Sequence, residues 1–241
     1  MKPVNDILWA MRTRDEIPEI AAQGAVVIVP IASIEQHGVA LPVNTDIQTV
    51  EYVSRQAACM LDDVPVLVTP TIPFGISPHH MVHGGTITVQ VRTLVAYLKN
   101  VCQSIVTDGF DRIIILSGHG GNDSTINAAA LELKHELQRQ IEGFCWFGLI
   151  PDTFIEVNEG PGRNIGHAGE AEASCILALA PETVHMDKAR FVEGISDDPI
   201  LGTAEKGKKI LEAGAKALAE YVRAMAARPG KRVVGIKKAQ K

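Results

Sequence analysis

Residues 26–46 read VVIVPIASIEQHGVALPVNTD, an apolar run that stops in a polar segment carrying Glu35, His37 and Asp46. Residues 25–31 contain no polar side chain, which is the pattern of a strand covered on both faces, as in a parallel sheet. Open parallel sheets present their chemistry just outside the carboxyl ends of the strands. Here two carboxylates and an imidazole follow that end directly, and these are side-chain types that hold a divalent cation.

Working outward, strand and helix patterns alternate. Residues 14–23 predict a short helix ahead of the first strand, with Gly24 just past its end. Residues 47–61 place Val50, Val53, Ala57, Met60 and Leu61 at helical spacing, with Asp46 at or next to the N-cap. Residues 64–71 read as a second strand, shortened by Pro65 and Pro70. Residues 73–85 form a loop rich in turn residues that holds His79, His80 and His83, a candidate wall of a site. A short strand is expected over 86–91 and a helix over 92–108, ended by Gly109.

Residues 112–117 (RIIILS) are the second strong buried strand and run directly into GHGGND. The glycines leave room beside His119 at the strand end. A phosphate loop is the weaker reading, because neither G-K-[ST] nor G-x-G-x-x-G is present. A helix over 122–140, capped by Asn122, Asp123 or Ser124, precedes a strand over 144–150. An irregular loop over 151–166 leads to HAGEAEAS, a helix from 169 or 170 to 179, a polar stretch over 183–199 and a long helix over 201–227. This alternation predicts a single α/β domain over 1–241, with a mainly parallel central sheet flanked by helices in three layers.

Composition narrows the function class. With 241 residues, 46% hydrophobic content and a formal net charge of −5, the chain can bury one core, and it offers no charge pattern for nucleic acid or a membrane surface. The basic positions over 229–241 read as a solvated tail. Cys59, Cys102, Cys145 and Cys175 are widely spaced, without a C-x-x-C pair, so they read as reduced core thiols of a cytoplasmic protein. No stretch has the roughly 18 consecutive apolar residues of a membrane span, and no signal-peptide pattern opens the chain.

In an extended segment residues two apart point the same way, so Glu35 and His37 emerge side by side about 7 Å apart at their roots. That spacing suits two metals roughly 3.5–4 Å apart better than one, with a further carboxylate such as Asp46 bridging them. The nitrogen and oxygen donors favour Zn2+ or Mn2+. His119 adds a nitrogen from a neighbouring strand end, and Glu170 in HAGE is the expected fifth ligand. His167, with a free pKa near neutrality, is the candidate general acid or base. Glu172 is expected to orient it, and His80 to contact substrate. His135 and His185 fall outside every motif and read as surface residues.

SIEQHGVALPVNTD resembles the S-x-E-Q-H-G-x-x-L-P-x-x-T-D signature of the creatininase family, and SGHGGN and HAGEAEAS match its other two signatures in order. The resemblance implies an α/β fold on a parallel sheet, two divalent metals, hydrolysis of small amides, and a homo-oligomer, specifically a homohexamer. It also implies that Glu35, Asp46 and His119 hold one metal while His37 and the bridging Asp46 hold the other. Two departures stand out. Gly121 occupies the position where creatinine hydrolases have a glutamate ligand, and His83-Gly84 replaces a Phe-Pro pair in the loop over 80–86.

Three functional readings follow from the sequence. The first is a dinuclear amidohydrolase acting on a small cyclic amide or formamide. The second is a ring-opening hydrolase of a cyclic polyol ketone of keto-inositol type. The third is a non-catalytic metal-binding protein, against which the complete ligand set weighs.

Overall fold

Strand β1 (Val26–Ile31) lies at the centre of a parallel sheet whose order is β2 (Val66–Val68), β1, β3 (Arg112–Ser117), β4 (Gln140–Cys145). The structure is a computed structural model that describes residues 1–231. Arg232, Lys237, Lys238 and Lys241 of the expected basic tail therefore lie outside the described residues. The apolar runs of β1 and β3 divide by parity. Val26, Ile28, Ile114 and Leu116 face one layer of core, and Val27, Val29, Ile31, Ile113 and Ile115 face the other. A strand alternates its side chains across the sheet, so only a sequence apolar at every position can satisfy two packed faces.

The first face is covered by α3 (Thr45–Cys59), α7 (Glu170–Leu179) and α8 (Ala204–Ala226). The second is covered by α2 (Glu16–Ala22), α4 (Val91–Thr107) and α5 (Asp123–Leu137). This is the expected three-layer arrangement. Two short helices complete the helical set among the described residues, α1 (Val4–Ile7) and α6 (Pro151–Val157). None of these helices is long and apolar enough to cross a membrane, and the four cysteines are free and buried.

Three local expectations are corrected. Residues 86–91 form no strand, because their alternation meets no neighbouring strand beyond one isolated bridge between Ile34 and Ile87. The last strand is β4, not residues 144–150. Its pairing with β3 runs from Arg112↔Gln140 to Ser117↔Cys145, and as an edge strand it alternates buried and half-exposed positions. The apolar residues that follow make a 3-10 turn that buries Trp146. Residues expected as irregular loop contain α6, which starts on Pro151, where proline suits a helix.

Chain order and strand order together place the site. From β1 the chain crosses through α3 to β2 on one side, whereas β3 leads through α5 to β4 on the other. The carboxyl ends of β1 and β3 thus flank a switch point, where a crevice opens. Gly118 lets these ends close up: a Cβ there would lie 2.3 Å from the Asp46 carbonyl oxygen in the first turn of α3. Asn122, fully buried, stands at the N-cap position of α5, but its side chain makes no cap hydrogen bond. Its Nδ2 donates to Ala32 O and Ser117 Oγ, and its Oδ1 accepts from Ile76 N, joining both strand ends to the loop over 73–85.

Gly118→Ala is expected to lower stability by about 1–3 kcal/mol, as an overpacked core position does, measured by urea unfolding. An unchanged midpoint would mean that α3 does not sit against the end of β3 in this way.

Candidate metal centre

Six ionisable side chains from four segments converge above the switch point. Glu35 and His37 follow β1, Asp46 lies in the first turn of α3, His119 follows β3, His167 precedes α7, and Glu172 lies in its first turn. Glu35 and His37 are 1% exposed, Asp46 2% and His119 4%. Charged groups this deeply buried are costly unless they are paired or hold a cation.

Asp46 divides its two oxygens. Oδ1 lies 3.3 Å from His37 Nε2 and Oδ2 lies 3.3 Å from His119 Nδ1. Around these contacts two triads form, Glu35–Asp46–His119 and His37–Asp46–Glu172, and a third, Glu35–His37–His167, adjoins them, each with its donor atoms within 4.8 Å of one another. His119 Nδ1 is 3.2 Å from Glu35 Oε1, and His37 Nε2 is 3.5 Å from Glu172 Oε2. Despite these distances, Glu35 Oε1, Asp46 Oδ2 and His37 Nε2 have no hydrogen-bond partner. They are aimed at common points between them and not at each other. Orphaned buried donor atoms that converge in this way fit a cation.

The backbone and neighbouring hydroxyls select which ring nitrogen faces inward. His37 Nδ1 lies 3.0 Å from Glu35 O, which can only accept, so Nδ1 carries a proton and Nε2 faces the cluster. His119 Nε2 likewise donates to Ile76 O at 3.0 Å and lies 3.1 Å from Ser77 Oγ, which turns Nδ1 inward. Ser77 Oγ in turn donates to Glu35 Oε2 at 2.5 Å and is itself 2.5 Å from Ser33 Oγ. Gly121 has no side chain for a steric reason: a Cβ there would lie 2.3 Å from His119 Nε2.

Charge in the cluster is set by burial against pairing. Burial alone lowers the pKa of His119, but the adjacent Asp46 and Glu35 carboxylates outweigh it and push the group up to about 10. Burial also opposes protonation of His37, which Glu172 and Asp46 nevertheless hold well above its ordinary value. Asp46 is favoured as an anion, because the two histidines overcome its desolvation. The same holds for Glu35, chiefly through the neighbouring His119 ring. His167 and His80, by contrast, are shifted down, mainly by burial. The chain alone thus holds protons where a cation fits, with neutral rings beside them.

Glu170 does not join the cluster. Its carboxylate accepts from Glu159 N and Gly160 N at 3.0 and 2.7 Å and from Lys206 Nζ at 2.6 Å, and its own N–H donates to Asp197 Oδ1. Residues two apart on a helix point about 200° apart, so the face that turns Glu172 towards His37 turns Glu170 away. Glu172, expected to orient His167, lies instead beside His37 and Asp46, with Oε2 accepting from Ala168 N at 2.5 Å. His80 stacks on His167 with ring centroids 4.0 Å apart. Sequence reasoning missed Ser77 and Gln36. The alternation that pairs Glu35 with His37 already turns Gln36 the other way.

The cluster opens into a pocket of about 190 Å³ walled by His79, His80, His167, Phe147 and Ile165. A larger groove of about 650 Å³ continues from it across Phe147, Ile165 and Gly166 towards Arg163 and Asp197.

The family model described as Creatininase, creatinine amidohydrolase, matches residues 10–222. The mycofactocin precursor peptide peptidase of Mycobacterium tuberculosis (strain CDC 1551 / Oshkosh) is 28% identical over 216 residues, covering 78% of this chain and 80% of the relative. The 3-dehydro-scyllo-inosose hydrolase of Thermotoga maritima is 29% identical over 194 residues, covering 78% of this chain and 61% of that protein. A creatininase variant solved in a Zn–Zn form has the same fold, with a TM-score of 0.79 and 22% identity over 95% of this chain and 100% of that one. The chain belongs to the creatininase family and is a hydrolase of that family.

Proposed function

We propose that this chain is a dinuclear metal-dependent hydrolase that cleaves a C–N bond of a small cyclic amide or a formamide. The observation that carries the reading is the division of Asp46 between two triads whose remaining donors are buried and partly unpaired. One ion is assigned to Glu35, Asp46 and His119, and the other to His37, Asp46 and Glu172. Three protein groups per ion leave a position open for water or substrate, the usual arrangement of a catalytic site. The mixed imidazole and carboxylate donors suit Zn2+ or Mn2+, and a fold relative is a Zn–Zn creatininase.

When bound, such ions acidify water and polarise a carbonyl. The chain supplies the rest. Glu35 O and Ile76 O hold the rings of His37 and His119 in the tautomers that ligation needs. His167, at the mouth of the pocket and kept neutral by burial, gives the reacting amide a hydrogen bond, while the proton that the leaving nitrogen needs in C–N cleavage comes from the attacking water. His80 stacks beside it and contacts substrate. Phe147 and Ile165 shield the reacting carbonyl from bulk water.

The pocket suits one small ring or one amide group, and the adjoining groove has room for a substituent. A second reading keeps the ions and changes the bond. The polar wall of His79 and His80, together with a relative named for inosose hydrolysis, favours ring opening of a cyclic polyol ketone.

The direct test is a screen of zinc- and manganese-reconstituted protein against lactams, formamides, short peptides and keto-inositols. Turnover of lactams or formamides is expected; turnover of keto-inositols alone would replace the first reading with the second. Asp46→Ala is expected to lose both ions, because one ligand serves two sites, and unchanged metal content in the folded variant would contradict the shared-ligand assignment. His167→Gln is expected to keep its metal and lose about 10²- to 10⁴-fold in kcat, whereas Glu170→Gln is expected to retain both ions.

Metal binding is also expected to release protons. His37 and His119 are raised, so the metal-free chain carries their protons at neutral pH, and these must leave before the rings can ligate. Apparent zinc affinity should therefore rise with pH up to about 10. Calorimetry in buffers of different ionisation enthalpy should detect proton release at neutral pH, and its absence would mean that the rings are already bare.

A further inference from the structure

Gln36 lies between two of the assigned ligands, yet its side chain points away from them and is buried. Its amide orientation is fixed at both ends. Oε1 accepts from Gly38 N at 2.8 Å, and Nε2 donates to Gly194 O at 2.6 Å. The same Nε2 lies 3.0 Å from His80 Nδ1 and 3.0 Å from His167 Nε2. An amide nitrogen has two hydrogens and accepts nothing. One hydrogen belongs to Gly194 O, so the other is left for the two stacked rings, and each ring can meet it only with a bare nitrogen. A proton on His167 Nε2 would set N–H against N–H. The ring's other nitrogen, Nδ1, lies 3.3 Å from Glu35 Oε1 on the cluster side.

We propose that Gln36 is a positioning residue that holds His167 as the neutral tautomer protonated on Nδ1, so that the ring offers the reacting centre a hydrogen-bond donor and not a base. The inference rests on the reading of His167 as the group that serves the reacting amide. It deepens that reading by assigning the ring's role. With Nε2 held by Gln36, His167 takes no proton through that nitrogen, and its Nδ1–H faces the cluster 3.3 Å from Glu35 Oε1, beside the pocket in which negative charge would develop on a bound substrate. Such a donor strengthens as that charge forms, so its removal acts on kcat more than on KM. Gly194 O, as the second anchor, keeps the amide from turning.

The test is nitrogen NMR of histidine-labelled, zinc-loaded protein, with the His167 signals identified by their loss in His167→Gln. In the unmodified chain Nε2 of His167 is expected to resonate as a bare nitrogen and Nδ1 as a protonated one. Gln36→Met, which keeps the length and removes the donor, should yield a mixture of tautomers and a fall in kcat of about 10- to 100-fold, as loss of an outer hydrogen bond does, with KM and metal content unchanged. Gln36→Glu should move the proton to Nε2. A bare Nδ1 in the unmodified chain, or a Gln36→Met variant with an unaltered tautomer, would overturn the proposal. An absence of turnover on every amide would remove the functional reading and leave the tautomer measurement standing, so the two failures are distinguishable.

Discussion

The structure depends on one carboxylate that faces two ways. Asp46 is nearly inaccessible to water, and it meets a histidine through each oxygen. An isolated buried carboxylate would be neutralised or driven to the surface. This one stays charged because His37 and His119 lie against it, and those rings stay in place because backbone carbonyls hold their outer nitrogens. Removing any member leaves a buried charge without a partner, which makes the cluster a unit and not a sum of pairs.

The fold exists to bring those members together. Glu35 and His37 come from one strand end and His119 from the next, and the two strands are neighbours only because the chain turns opposite ways after them. Close approach is bought with small residues and one clamp. Gly118 admits the backbone of α3, Gly121 leaves space for the ring of His119, and Asn122 joins both strand ends to the histidine loop. The GHGGN motif therefore has a packing explanation at nearly every position, with His119 as its one group aimed at the cluster.

Much of this was legible from residues alone, for definite reasons. The apolar runs of β1 and β3 could only be buried strands, because no polar side chain interrupts β1 and only the terminal residues of β3 are polar. The sites just beyond them followed from sheet geometry. The edge strand was not legible, since β4 contains Gln140 and Glu142 while the more apolar residues after it form a turn. The two glutamates of HAGEAEAS could not be told apart without knowing how α7 is rotated. Glu170 satisfies the turn over 159–160 and the Lys206 ammonium, and Glu172 faces the cluster. Local pattern specifies that a helix starts there; only tertiary packing decides which of its acids looks inward.

The most direct measurement is a crystal structure of the zinc-loaded protein with anomalous scattering at the zinc edge. The account predicts two peaks in each chain, with one Asp46 oxygen on each ion and Glu172 within the roughly 2.0–2.2 Å of a zinc–oxygen bond, while Glu170 stays on Lys206. A single peak, or a Glu170 carboxylate turned onto zinc, would contradict it.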